Sequence, residues 1–417
     1  MAEKALRLLL NFGVGIWVSR YLGPERFGSL SYAMALVAVV AVLAELGLDA
    51  VVRREAIRSP ENAGSVIAAA GLLRWIGGIF SYVLLASLVG LRWTNAEERM
   101  LILVFGLTVF QPALLVFDLW FQARLEAKYA TVAQICALAG GAAARVAMVL
   151  AEAPLVSFAW AAVGEMAIAG VLFALLAGRR GMKLRWSETG RRLPRRLLRE
   201  AWPLMMSGFA VMLYMRIDAV MLRAMRGEEA VGIYAAATRF AEIWYFVPVA
   251  LASSLLPALL RARERGPAAY RERWQHVFDL NAALAFAVAV PVSVLAPWLM
   301  RICYGEAYAE SADVLMLHVW SCLFVFVGVA RGQWLVNEGR SYFYFGASVA
   351  GAVANVALNS WMIPRWGPKG AAVATLVSFA ISAWLTSFVH PGLRAIGELQ
   401  TRALLIPVLG WRYFRRS

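Results

Sequence analysis

The sequence predicts an all-α integral membrane protein with twelve transmembrane helices in two related halves. Three observations indicate this class. The composition is 61% hydrophobic and only 16% charged, apolar runs of membrane-spanning length follow one another along the chain, and a short pattern recurs after half the chain length. Soluble domains are closer to half apolar and a quarter charged. The mean hydropathy of +0.66 therefore excludes an ordinary soluble protein.

Gaps marked by charged residues, Gly and Pro divide the apolar sequence into the predicted helices. About 20 apolar residues cross the hydrocarbon core of a bilayer. Twelve runs meet this requirement, at 5–21, 29–53, 63–90, 97–122, 128–151, 155–178, 201–222, 231–260, 275–302, 311–336, 341–363 and 369–391. No small-residue cleavage site follows the first run, so we interpret it as a retained helix rather than a signal peptide.

The recurring pattern lies on hydrophobic hairpins in both halves. The first copy joins the end of one apolar helix to a charged loop that contains Gly23 and Gly28, and the second contains Gly227 and Gly232. Both copies continue into a run rich in Ala and Tyr. A repeat of half the chain length is typical of two-fold membrane transporters.

The net charge of +15 and the isoelectric point near 10.2 have an ordinary explanation in a membrane protein. Lys and Arg accumulate in cytoplasmic loops, whereas the same charge in a soluble chain would indicate nucleic-acid binding. Of the 41 Lys and Arg residues, 27 fall in one set of alternate loops and termini and nine in the other. This asymmetry places both termini in the cytoplasm and argues against nucleic acid as a partner.

The distribution of charge also divides the chain into domains. We predict an N-terminal six-helix lobe at 1–178, a basic cytoplasmic linker at 179–200, a C-terminal six-helix lobe at 201–392 and an interfacial cytoplasmic tail at 393–417. The linker contains Leu, Trp and nine basic residues, which favours a position along anionic lipid headgroups. Pro407 and Gly410 interrupt the short apolar patch of the tail, so this patch is predicted to lie in the membrane interface.

The sequence lacks the patterns of a catalytic or cofactor-binding protein. The three cysteines are odd in number and lie in apolar runs, which indicates neither a disulfide framework nor a metal cluster. No phosphate-binding glycine loop or nucleophile arrangement is present. We therefore expect no cofactor, no metal site and no enzyme activity.

Three stretches resemble the polysaccharide transporter family, the O-antigen or lipid-linked oligosaccharide flippases of the multidrug/oligosaccharidyl-lipid/polysaccharide (MOP) exporter superfamily. They are RYLGPERFG at 20–28 with its continuation ELGLDAVVR at 45–53, DLWFQARLEAKY at 118–129, and NVALNSWMIPRWGPKGAAVAT at 355–375. The last resembles the hairpin between the family's eleventh and twelfth helices. The stretches occur in the family's order across nearly the whole chain.

The resemblance implies two pseudo-symmetric six-helix lobes around a central cavity. It implies a flippase that moves an undecaprenyl-pyrophosphate type oligosaccharide across the bacterial cytoplasmic membrane by alternating access, for cell-surface polysaccharide biosynthesis. The expected partners are the lipid-linked glycan, anionic membrane lipids and glycan polymerase machinery. A multidrug or cation exporter of the same superfamily is the first alternative, and a membrane glycosyltransferase or polymerase is the second.

Four arginines inside the apolar runs are the candidate substrate-binding residues: Arg74, Arg145, Arg216 and Arg239. Two come from each half, and the assigned orientation places them from the middle of the bilayer toward its outer leaflet. Arginine stays charged when desolvated and donates bidentate hydrogen bonds to phosphate. We predict that the four side chains line the cavity and bind the pyrophosphate of the carrier lipid.

Four acids at membrane depth are the candidate ion-coupling residues: Glu45, Glu165, Asp218 and Glu242. Such groups carry protons or Na⁺ in transport cycles. The alternative is structural, because each acid has an arginine that could neutralise it. Arg145 with Glu165, on the antiparallel fifth and sixth helices, is one such pair.

Other intramembrane polar residues favour structural roles. Glu45, Asp49 and Arg53 are spaced by four and are predicted to form one stripe on the second helix. Asn355 and Asn359 are predicted to bond a neighbouring helix. His318 is a possible proton site by its pKa range, although packing is the more common role of a single intramembrane histidine.

Overall fold

The computed structural model describes residues 2–92, 95–184 and 192–406, and all regular secondary structure in these ranges is helical. The chain forms two compact units, Met1–Arg216 and Ile217–Ser417. The division falls inside a continuous helix, after the predicted start of the C-terminal lobe at residue 201. The predicted central cavity and the predicted domain boundaries remain predictions.

The first unit is built from nine helices, of which the last continues into the second unit. They are α1 (Ala2–Glu45), α2 (Leu48–Arg58), α3 (Ala63–Arg92), α4 (Ala96–Gly106), α5 (Gln111–Leu114), α6 (Val116–Ala123), α7 (Ala127–Leu150), α8 (Leu155–Arg179) and α9 (Arg192–Arg226).

The second unit contains the end of α9 and seven further helices. They are α10 (Glu228–Glu242), α11 (Phe246–Glu264), α12 (Pro267–Tyr304), α13 (Ser311–His318), α14 (Ser321–Asn337), α15 (Ser341–Ala383) and α16 (Pro391–Leu404).

Nine helical segments in the described ranges are long and apolar enough to cross a membrane. Two of them, Phe12–Arg58 and Tyr342–Phe388, have 47 residues each, which is about 70 Å of helix and far more than one crossing needs. Each contains a sharp bend and covers two of the predicted spans. The predicted span at 231–260 coincides with α10 and α11 but is interrupted by a 3₁₀ turn at Ile243–Tyr245. The protein is therefore a helical multi-pass membrane protein, and the count of twelve crossings stays a prediction.

The bends occur at glycines whose backbone conformations L side chains rarely adopt. Gly23 has φ 71° and ψ 170°, and the following Pro24 lacks the amide hydrogen of a regular helix. Gly227, 204 residues later, has nearly the same conformation, with φ 88° and ψ −174°. The two copies of the sequence pattern thus share the same local backbone. Gly367, followed by Pro368, bends α15 with φ 54° and ψ −132°.

The predicted stripe of Glu45, Asp49 and Arg53 is wrong because the second span is not one continuous helix. Leu46 and Gly47 both have positive φ and separate α1 from α2. Gly47 is required here, since a Cβ atom at this position would lie 2.5 Å from the backbone nitrogen of Met205 in α9. Asp49 therefore lies on α2, while Glu45 ends α1.

Helix α9 begins at Arg192, well before the predicted span at 201–222. Its first turns pack into the apolar core of the first unit, where Leu197 and Ala201 lie with Leu48 and Val52 of α2. This burial explains why the helix extends into the predicted linker. Linker residues 185–191 lie outside the described ranges.

Helix α16 packs against α12 in the second unit. Its apolar side buries Leu393, Ile396 and Leu399 against Trp274 and Phe278 of α12. The helix starts at a proline, which is favourable in the first turn. Residues 407–417, which hold most of the predicted interfacial patch, lie outside the described ranges.

Candidate functional site

Asp218 is the most deeply buried acid among the described residues of the second unit, with 2% of its surface exposed. It lies on the part of α9 that belongs to this unit, and neutral groups surround its carboxylate. Tyr234 Oη and Thr375 Oγ1 donate hydrogen bonds to Oδ2, at 2.6 and 2.5 Å, and Asn359 Nδ2 donates to Oδ1 at 2.6 Å. No ion pair in the described part of the chain includes Asp218. The plausible arginine partner expected from the sequence is thus replaced by neutral donors.

The bend of α15 brings these donors together from distant positions. Asn355 and Asn359 lie one turn apart on the arm before Gly367, and Thr375 lies on the arm after it. The arms approach closely because Gly370 has no side chain, and a Cβ atom there would lie 2.5 Å from the carbonyl oxygen of Met362. The prediction that the asparagines bond a neighbouring helix is confirmed for Asn359, which bonds Asp218 of α9, whereas Asn355 accepts a hydrogen bond from Asn359 on its own helix.

Each of the two asparagine side chains beside Asp218 has one amide atom without a hydrogen-bond partner among the described residues. Asn359 Nδ2 also donates to Asn355 Oδ1 at 3.0 Å. This leaves Asn355 Nδ2 and Asn359 Oδ1 without partners, although both side chains are fully buried. The site therefore combines one carboxylate with hydroxyl and amide oxygens. Hard cations prefer such oxygen ligands, and a desolvated carboxylate also binds a proton readily.

Arg226 fastens α9 to the same bend. Pro368 has no amide hydrogen, so the carbonyl group of Pro364 loses its normal intrahelical donor, and the carbonyl group of Ile363 precedes it in the same turn. The guanidinium group of Arg226 donates to both oxygens, through Nε at 3.2 Å and Nη2 at 2.5 Å. Arg226 and Asp218 are thus two attachments between α9 and α15.

His318 of α13 is packed rather than exposed to a water-filled path. The imidazole ring is 3% exposed and lies edge-on to Tyr234, with 5.8 Å between ring centroids. Its Nδ1 has no partner among the described residues. The position favours the packing interpretation and makes His318 a neighbour of the Asp218 site.

In the first unit Arg145 and Glu165 form the ion pair that the sequence suggested. Arg145 Nη2 of α7 donates to Glu165 Oε2 of α8 at 2.7 Å, and the two side chains are 21% and 27% exposed. Gly141, one turn before Arg145, makes room for the acid, since a Cβ atom there would lie 2.4 Å from Glu165 Oε2. The pair remains partly accessible.

Arg74 has a different environment from the one predicted. The side chain is 3% exposed, pairs with Asp49 of α2, and donates through Nη1 to the carbonyl oxygen of Pro112 at 3.1 Å. The helix break at Leu46 and Gly47 brings Asp49 to this position. Glu45 is exposed at the end of α1.

The remaining predicted residues are partly exposed and lie on two helices. Arg216 of α9 is the last residue of the first unit, and Arg239 and Glu242 lie on α10. Arg239 is close enough to Tyr304 and Tyr308 to interact electrostatically with both phenols. The four predicted arginines therefore occupy different environments, and Arg74 and Arg145 each pair with a carboxylate.

A charged network at the ends of α2 and α9 was not expected from the sequence. Arg54 and Arg196 both pair with Glu200, and Arg196 also donates to Glu55 at 2.5 Å. Opposite charges on two packed helices form such networks. The sequence of either segment alone does not indicate that α2 packs against α9. The network ties the start of α9 to the first unit.

Another charged group lies between α6 and α7. Glu126 accepts hydrogen bonds from Arg180 at 3.2 and 3.3 Å and from Arg124 at 3.3 Å. The bonds from Arg180, and to a smaller extent that from Arg124, lower the pKa of Glu126. The carboxylate thus stays ionised between the two guanidinium groups.

The fold is similar to that of solved membrane transporters. A multidrug resistance MATE family transporter of the MOP superfamily, in an inward-facing conformation, gives a TM-score of 0.77 at 17% identity, covering 95% of this chain and 96% of that chain. The lipid II flippase MurJ, in an inward closed conformation, gives a TM-score of 0.74 at 11% identity, covering 99% and 92%. At these identities the likeness establishes the fold. Together with the helical segments of membrane-spanning length, it defines a multi-pass membrane protein with this fold.

The family follows from the sequence. The polysaccharide biosynthesis protein family model matches residues 4–263, more than half of the chain, and the chain belongs to that family. The MatE model matches residues 203–361. The predicted resemblance to polysaccharide transporters of the MOP superfamily is thereby confirmed. The probable low-salt glycan biosynthesis flippase Agl15 of Haloferax volcanii is 24% identical over 185 residues, which is 42% of this chain and 39% of that protein. The chain spans less than half the length of the curated relatives that it matches.

Proposed function

We propose that the chain is a flippase for a lipid-linked oligosaccharide of the undecaprenyl-pyrophosphate type. It moves this substrate across the bacterial cytoplasmic membrane by alternating access and supplies cell-surface polysaccharide biosynthesis. The family match over residues 4–263 is the observation that carries the proposal. Similar proteins named as a glycan biosynthesis flippase and a lipid II flippase support it. In this proposal the protein is a transporter rather than an enzyme, and glycan polymerase machinery is its partner.

Arg145 is the best supported of the four proposed substrate contacts. Its guanidinium group is partly exposed and already holds an anionic partner in Glu165. A pyrophosphate oxygen could replace the carboxylate without leaving the cation desolvated and alone, a state that is costly in a membrane protein. Arg216 and Arg239 are also partly exposed and remain proposed contacts. Arg74 would contact substrate only after release from Asp49.

Asp218 is the best supported of the four proposed coupling acids. Its carboxylate is buried among neutral oxygen and nitrogen groups, whereas Glu165 is paired with arginine. A proton or Na⁺ bound there would neutralise a charge that the site otherwise leaves uncompensated. Because the ligands come from α9 and both arms of α15, occupancy would stabilise one arrangement of these helices.

The second candidate function is export of multidrug or other cationic substrates. The fold similarity to a multidrug resistance MATE family transporter supports this second function. The arginines inside the apolar segments favour an anionic substrate and therefore the flippase.

The glycans linked to lipid in a deletion strain test the proposal. We expect fully assembled lipid-linked units to accumulate in the cytoplasmic leaflet and surface polysaccharide to disappear. Complementation with the wild-type chain should reverse both effects, whereas an Arg145→Ala variant that accumulates normally in the membrane should not. Normal surface glycan in the deletion strain, combined with increased sensitivity to cationic drugs, would favour the exporter.

A further inference from the structure

Arg331 is a buried arginine of α14 that the transport proposal does not use. The residue is 3% exposed, and Nη1 donates to the carbonyl oxygen of Ser382 at 2.9 Å. In the described residues Nε and Nη2 have no hydrogen-bond partner, and no ion pair includes the side chain. Arg74, which is equally buried, differs because it has a carboxylate partner.

The two unpartnered nitrogens form one edge of the guanidinium group. Nε–H and the neighbouring N–H of Nη2 point in nearly parallel directions, and this edge binds both oxygens of a carboxylate or phosphate group. The single neutral acceptor, Ser382 O, also accepts a hydrogen bond from Thr386 Oγ1 at 2.8 Å. The contacts among the described residues therefore leave the positive charge without an anion.

Close helix packing keeps bulk water away from this position. Gly328 and Gly332 flank Arg331 on α14, and a Cβ atom at Gly328 would lie 2.9 Å from Cβ of Ala383. At Gly332 a Cβ atom would lie 3.2 Å from the ring of Tyr344. The two arms of α15 thus approach α14 on either side of the arginine. A desolvated charge in such surroundings requires a partner.

The depth of Arg331 indicates which anions can reach it. The residue lies six positions before the end of α14 at Asn337, or about 9 Å along the helix axis. Helix ends lie near the lipid headgroups, so the end of α14 at Asn337 is the nearer side from which a headgroup phosphate or a phosphate ion reaches the side chain. We infer that the Nε–Nη2 edge of Arg331 binds an oxyanion, the phosphate of a lipid headgroup or free phosphate. This site is independent of the proposed transport activity.

Thermal unfolding of the full chain in detergent tests this site. The probes are dioctanoyl-phosphatidylglycerol, sodium phosphate, and dioctanoylglycerol, which has the same acyl chains without phosphate. We expect phosphatidylglycerol, phosphate or both to raise the Tm by about 3 °C at 100 times Kd. A rise with the phospholipid alone identifies the lipid headgroup, and a rise with sodium phosphate at matched ionic strength identifies the free ion.

The variants assign the effect to Arg331. Arg331→Lys keeps the charge but loses the bidentate edge, so it should lose most of the rise in Tm. Arg340→Lys is the matched control, because Arg340 is partly exposed next to the start of α15 and has its own acceptor in Gly392 O. It should respond like the wild type. Arg331→Gln replaces the lysine variant if the latter does not fold.

Three results would overturn the inference. The inference is wrong if neither oxyanion source stabilises the wild-type chain, if dioctanoylglycerol stabilises it as much as phosphatidylglycerol does, or if Arg331→Lys responds as strongly as the wild type. The first two results are measured on the wild-type chain, so they overturn the inference even if the variants do not fold.

Discussion

Gly141 shows how one missing side chain makes room for an intramembrane ion pair. The position that a Cβ atom would take is occupied by the carboxyl group of Glu165, which in turn bonds Arg145. The adjacent Gly140 has an ordinary environment, because a Cβ atom there would have Ile168 Cδ1 as its nearest contact, at 3.4 Å. Substitution of the two glycines by alanine is therefore expected to have opposite effects on stability.

Gly141→Ala should destabilise the protein by about 1–3 kcal/mol, because the methyl group displaces Glu165 from Arg145. Gly140→Ala should be neutral or stabilising by up to about 1 kcal/mol, since alanine is the better helix former. Thermal or denaturant unfolding in detergent measures both. Equal effects of the two substitutions would contradict the role assigned to Gly141.

The Asp218→Asn variant should fold normally, but its transport should no longer be coupled to the ion gradient. The amide is nearly the same size, and removal of a buried charge favours stability. We expect normal accumulation in the membrane and a transport rate that falls at least about tenfold and no longer responds to the ion gradient. Asp313→Asn is the control, because Asp313 is exposed and pairs with Lys369 at 2.6 Å. Ion-dependent transport by Asp218→Asn would exclude this residue as the coupling site.

The sequence predicted residue-level contacts where both partners lie on consecutive helices. Arg145 and Glu165 are 20 positions apart on an antiparallel hairpin, so their pairing follows from helix geometry. Thr375 and Asp218 are 157 positions apart. Their contact depends on the packing of α15 against α9, which no local pattern specifies. Arg74 was assigned to substrate because its acid, Asp49, is supplied by another helix after a break in the backbone.

At the scale of the helix, the bend of α15 determines the Asp218 site. A straight helix would place Asn359 and Thr375 about 24 Å apart along its axis, yet both bond the same carboxylate. The bend depends on a glycine conformation that other residues rarely adopt. It also depends on Arg226, which binds the carbonyl groups that the bend exposes.

Gly367→Ala should destabilise the protein by on the order of 1–3 kcal/mol, because its φ of 54° is strained for alanine. Ion-dependent transport should fall with it, since the two arms of α15 would move apart. Gly346→Ala on the same helix is the control. Its Cβ position has open space, so alanine should be neutral or slightly stabilising. A Gly367→Ala variant as stable and active as the control would show that the bend does not need glycine.

For the whole molecule, the charge asymmetry predicts an orientation that labelling can test. Arg265 lies between α11 and α12 on the predicted cytoplasmic side, and Glu306 lies between α12 and α13 on the outer side. In a background without the three native cysteines, Glu306→Cys in intact cells should react with an impermeant thiol reagent. Arg265→Cys should react only after the cells are opened. The reverse pattern would invert the topology.

The all-helical, multi-pass class of the protein followed from the sequence because bilayer thickness imposes a length on every apolar run. The predicted boundaries are inexact where helices continue beyond the hydrocarbon layer, and α9 is the clearest case. The sequence predicts that its basic first turns belong to a cytoplasmic linker along lipid headgroups, but Leu197 is buried in the first unit. The high charge of this segment therefore gave no indication that part of it packs in the apolar core.

The continuity of α9 has a consequence for dividing this protein genetically. A cut after residue 184 assigns all of α9 to the C-terminal fragment, although its first turns pack among the helices of the N-terminal unit. Two fragments made as separate polypeptides would therefore remain attached through this helix, and co-expression should restore a complete protein. The N-terminal fragment made alone would expose the surface of α2 that Leu197 and Ala201 cover, and a peptide of residues 192–216 should bind there as a replacement.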